Sequence, residues 1–149
     1  MPSILPSYVY TLFATMIVGS LLVVTFGLST VNIKNEAEKQ QLKTLSAYVA
    51  TKSCELLSMT KTSRLAVNLT LNLPSLVGNR RYWVRLGNDS YSAWVEVGYG
   101  TEPQSTEHRV PIPSDVSVSG EFIGGSGSAL LECYTQDTAT YLELLEGPR

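Results

Sequence analysis

Cys54, Cys133 and His108 are the side chains from which catalysis or metal binding would most readily be built, and their spacing supports little of either. The two cysteines lie 79 positions apart, with no Cys-x-x-Cys or Cys/His cluster, so no zinc site is expected. They read as one disulfide in an oxidising exterior, with two unrelated buried thiols as the alternative. Closing so long a loop would contribute about 4.5 kcal/mol by restricting the unfolded chain. His108 is the only histidine and sits in a Glu-His-Arg run resembling an exposed strand start, without a nucleophile spaced to use it as a base. The Gly124–Ser128 run lacks the lysine of a phosphate loop and follows no Gly-x-Gly-x-x-Gly pattern, so it reads as a hairpin loop. There is no Gly-x-Ser-x-Gly elbow, and the carboxylates are scattered. No enzymatic activity and no cofactor are expected.

Other residues point to surfaces. Asn68-Leu69-Thr70 and Asn88-Asp89-Ser90 are N-glycosylation sequons, marking Asn68 and Asn88 as glycan sites of an exported protein. Trp83 and Trp94, with Arg81 and Arg85 beside them, have the composition of an interface core and rim; equally, the tryptophans could simply cover one sheet face.

The element that dominates the chain is its start. Residues 1–33 carry no charge, and the first charged side chain is Lys34. So apolar a run is stable only away from water, and it is read as retained, since it lacks the charged start and cleavage site of a secretory signal. As a helix, thirty such residues extend ~45 Å, more than the ~30 Å hydrocarbon core of a bilayer. Tyr8 and Tyr10 could anchor it at an interface or pack in a filament. Gly19 and Gly27 are expected close-packing or bending points, with Leu12, Ile17, Leu21 and Val24 among the apolar side chains assembling there. Beyond Lys34 the pattern turns amphipathic: Leu42, Leu45, Val49 and Leu56 recur at helical spacing, opposite Lys39, Lys43 and Lys52. One helix of some fifty residues is predicted, ending near Met59, with Cys54 tethering it to the C-terminal head.

After Thr60 the period becomes two. Leu65, Val67, Leu69, Leu71 and Leu73 alternate with Ala66, Asn68, Thr70 and Asn72 as a half-buried strand. A hairpin is predicted next, turning at Asn88-Asp89, with Trp83 opposite Trp94 and Arg81 opposite Glu96. Further strands are expected at His108–Ile112, Val116–Ile123, Ala129–Tyr134 and Thr140–Leu145. The fold class is therefore α+β: a long helix, hydrophobic then amphipathic, over residues 1–60, then a small antiparallel β-sandwich-like head over 61–149.

Charge divides along the same line. Between Lys34 and Arg64 six basic residues face three acidic ones; from Leu65 onward five basic face ten acidic. A basic stalk with an acidic head lacks the dense basic face that nucleic acid requires. Lys34, Lys39 and Lys43 would by the positive-inside rule hold the head in the cytoplasm; the cysteines and sequons argue for the exterior, and outweigh it.

This architecture resembles the type IV pilin superfamily, and in particular archaeal pilins and archaellum-type subunits. The resemblance rests on Pro6-Ser7-Tyr8-Val9-Tyr10-Thr11-Leu12 through Val31, on the stalk to Met59, and on Leu73-Pro74-Ser75-Leu76-Val77-Gly78-Asn79-Arg80-Arg81-Tyr82-Trp83. Pilin precursors carry a short charged leader, whereas only Met1 to Ser3 precede the helix here; the chain is then either a mature form or not a processed pilin. Leu5 stands where many bacterial members place a glutamate, a position archaeal members often leave apolar. The resemblance implies a homopolymer held through the N-terminal helices, a membrane location before assembly, and an adhesive surface or cell partner met by the head. The alternative reading is a single-pass anchored protein whose extracytoplasmic β-domain binds an envelope or filament-motor partner.

Overall fold

A computed structural model describes residues 4–104, 109–113, 115–137 and 139–147. Helix α1 spans Ile4–Ser63, and seven strands follow: β1 Val67–Leu71, β2 Tyr82–Asn88, β3 Ala93–Tyr99, β4 Arg109–Ile112, β5 Val116–Ile123, β6 Ser128–Gln136 and β7 Ala139–Gly147. The α+β class and the long apolar helix expected from the sequence are present. The predicted strand start at His108 lies outside the described residues.

The chain forms two compact units, Met1–Ala37 and Glu38–Arg149. The packing boundary thus falls inside α1, earlier than the 60/61 division that secondary structure suggested. The reason is the amphipathic stripe. Leu45, Val49, Leu56 and Leu57 are buried in one cluster with residues from the sheet, so this part of the helix is core of the second unit. Ser46, Ser53 and Thr60, spaced by seven, are buried on the same face and keep the contact thin.

The strands form one sheet in the order β1-β6-β7-β5-β2-β3-β4. All pairs are antiparallel except β5 with β7, which is parallel. Strand β5 joins two halves: Val116 to Gly120 pair with β7, and Glu121 to Ile123 pair with β2. The change of partner occurs at Gly120, whose φ of 107° is open only to glycine, and a Cβ there would fall on the Leu144 carbonyl. The expected sandwich-like, mostly antiparallel head takes the form of one turning seven-stranded sheet that closes its core against the helix.

The hairpin β2–β3 forms in a different register from the one predicted. Arg85 lies opposite Glu96, Leu86 opposite Val95, and Trp83 opposite Gly98. The loop is longer, Asp89 to Ser92, because the Asp89 carboxylate accepts the Tyr91 and Ser92 backbone N–H groups at 2.8 and 2.7 Å. These bonds hold that carboxyl below its ordinary range. Each partner moves four residues, an even number, so every side chain keeps its predicted face.

Candidate assembly and interaction surfaces

The first unit is a helix with no covering. Leu12, Ile17, Leu21 and Val24 are all exposed, as is every described side chain from Tyr8 to Ala37. Gly19 and Gly27 have nothing within 4 Å of where a Cβ would sit, so a side chain at either would meet no described neighbour. Gly19 lies in a shallow trough of about 420 Å³ with Thr11, Ala14, Thr15, Val18 and Leu22. Four hydroxyls in the segment are satisfied within the helix: Thr15 donates to the Leu12 carbonyl at 2.9 Å, Ser20 to Ile17 at 2.9 Å, Thr25 to Leu21 at 2.6 Å and Thr30 to Phe26 at 2.8 Å. They therefore need no water, as a helix surrounded by lipid or by other apolar helices requires. By length and composition this helix is a candidate membrane span or signal segment.

In the second unit, the outward face of β2–β3–β4 carries the predicted tryptophan and arginine cluster. It is a built structure more than an open interface. Trp83 is only 1% exposed, which corrects its assignment to a contact surface; Trp94 is half-buried. Each indole lies across a glycine on the neighbouring strand: a Cβ on Gly98 would come within 2.5 Å of Trp83, and one on Gly87 within 2.9 Å of Trp94. Between them Glu96, its side chain 1% exposed, accepts from Trp94 Nε1 at 2.9 Å and pairs with Arg109 Nε at 2.7 Å through the same oxygen. Its other oxygen takes Arg85. Arg109 stacks on Trp94 with its guanidinium 4.4 Å from the ring centre, and Arg85 lies 5.7 Å from Trp83. Burial raises the Glu96 carboxyl, but the donors from Arg85, Trp94 and Arg109 outweigh it and hold it below the usual range. Arg81, predicted opposite Glu96, is exposed just before β2 and takes no part in this network; Arg85 fills that role. Sequence reasoning also passed over Arg109, which becomes visible as a partner only once β4 pairs with β3.

The cysteines do not form the predicted disulfide. Both thiols are free, Cys54 exposed and Cys133 buried. Helix phase is the cause. Cys54 follows the buried Ser53 and faces outward, whereas Cys133 on β6 meets Thr60, six residues and ~9 Å further along the helix. Burial pushes the Cys133 thiol up, so it is a packing residue with little thiolate.

Asn68 is exposed on edge strand β1, and Asn88 is exposed at the end of β2; both sequons are accessible. No group of three or more His, Cys, Asp or Glu side chains converges among the described residues. No family model, curated protein or solved structure matches this chain.

Proposed function

We propose that this protein is the structural subunit of a type IV pilus-like extracellular filament of archaeal type, in which apolar helices form the core and β-heads the outer surface. One observation carries the reading: from Tyr8 to Ile33 the helix carries no charge and is exposed on every side, its large apolar side chains included. A helix of this kind must be covered by lipid or by other helices. Its ~45 Å run over residues 4–33 exceeds a bilayer core, and burial among copies covers the excess. Each large apolar side chain buried in such a bundle contributes about 1.5–3 kcal/mol, enough over many residues to hold a polymer without covalent links. Membrane insertion precedes assembly. The exposed sequons Asn68 and Asn88 favour an exterior head. The role is mechanical, adhesion or cell contact, with no catalytic step.

Electron microscopy of native material tests this. Fibres whose helical symmetry puts residues 8–33 of neighbouring copies in contact are expected. Solitary molecules held permanently in lipid, with these helices touching only acyl chains, would refute it and leave the anchored β-domain as the function.

A further inference from the structure

We infer that the outer face of the β1-β6-β7-β5 half-sheet docks the lysine-bearing helix face of a second copy, Glu132 and Glu143 receiving Lys39 and Lys43. The registers set this face out in rows. Thr70, Leu130 and Leu145 lie side by side; so do Asn68, Glu132, Glu143 and Ser119; so do Tyr134, Tyr141 and Ser117. None of these side chains is fully buried, whereas Ala129, Leu131, Cys133, Leu142 and Leu144, which alternate with them, are. The tyrosines stack with ring centres 5.4 Å apart, and Tyr134 donates to Glu143 at 2.9 Å, making a firm aromatic floor beside the carboxylates.

Two local charge conflicts identify the occupant. Glu132 and Glu143 are directly opposed across β6 and β7, where like charges destabilise a strand pair. Lys39 and Lys43 are exposed one helical turn apart, an equally unfavourable spacing. Among the described residues neither lysine pairs with a carboxylate, and Glu36, one turn before Lys39, pairs with neither. Within one copy the conflicts cannot relieve each other: α1 packs on the buried face of the sheet, and the glutamates stand on the other. Between copies the surfaces match in sign and in number. Because the two patches differ, the contact is head-to-tail and propagates as an open polymer instead of closing as a twofold dimer. The inference adds the outer contact to the proposed filament, resting on that reading only in taking copies to adjoin.

The test mixes unlabelled and heavy-nitrogen full-length chains, as fibres or at high concentration in detergent. A water-soluble carbodiimide then joins lysine amines to touching carboxylates without a spacer. Mass spectrometry is expected to find Lys39 or Lys43 joined to Glu132 or Glu143 in peptides of mixed isotope. Reversing either side, Lys39→Glu with Lys43→Glu, or Glu132→Lys with Glu143→Lys, should lower the assembled fraction about tenfold, and combining all four should restore it. Near-ultraviolet circular dichroism checks that each variant is folded. Fibres without these mixed crosslinks overturn the contact and leave the filament intact; mixed crosslinks without fibres sustain the contact and overturn the filament. Absence of both, or crosslinks only within one isotope, also overturns the contact.

Discussion

Replacing Glu96 by glutamine isolates the charge at the centre of the head. The amide keeps an oxygen for Trp94 Nε1 and Arg109 Nε, but it removes the charge that pairs with both guanidiniums and sets its own N–H donors against those of Arg85. Charge-assisted hydrogen bonds contribute about 1.5–3 kcal/mol when fully enclosed. Arg85 and Arg109 are 34% and 49% exposed, so water compensates each in part, leaving roughly 1 kcal/mol apiece. A mismatched buried amide costs about 1 kcal/mol more. The variant should therefore lose about 3 kcal/mol at neutral pH, a drop of about 10 °C in Tm for a unit of this size. The pH dependence has a definite sign. The Glu96 carboxyl titrates below its ordinary value in the folded protein. Its contribution is present above the ordinary carboxylate range and disappears as pH falls through the lower, folded value. Asp89 and Asp115 are also lowered and weaken both proteins alike in acid, so the difference between wild type and variant reports Glu96 alone. Thermal melts of detergent-solubilised protein, followed by near-ultraviolet circular dichroism of the two tryptophans, measure it. A gap under about 3 °C at neutral pH, or one that persists undiminished into strong acid, would refute the reasoning.

Gly120→Ala should cost about 3 kcal/mol or more, because it combines an unfavourable φ with a collision against the Leu144 carbonyl; a melting curve within 2–3 °C of wild type contradicts the proposed turn of the sheet. In the native protein a maleimide should label Cys54 within minutes and Cys133 only after unfolding, whereas a native mass showing an internal disulfide would restore the Cys54–Cys133 bridge. Gly19→Leu and Gly27→Leu should leave head melting unchanged, since nothing lies within 4 Å of a Cβ at either site, and should impair assembly; normal filaments from both would show that helices do not pack closely there.

Much of the fold was legible because its signals are periodic and local. The first segment shows in its unbroken lack of charge, and the stripe through Leu45, Val49 and Leu56 and the alternation along Val67–Leu71 each reflect a repeat that one segment's burial imposes. Strand β5 was read at its observed ends, and β6 and β7 within one to two residues, because turn residues bound them. The candidate site was less legible. Trp83 and Trp94 were assigned to the correct face, yet the register slipped because a side chain, Asp89, sets the loop length. Nothing local could reveal that Trp83 is buried over Gly98.

The sequence alone determined that residues 1–33 need cover from water and that a stalk of one sign precedes a head of the other, since both are sums over neighbouring residues. Only the tertiary structure decided which residues meet across distance: Arg85 and Arg109 on Glu96, Thr60 beside Cys133, Glu132 facing Glu143. Those pairings depend on helix phase and strand register: one residue's shift turns a side chain by about 100° around a helix and flips it to the other face of a sheet.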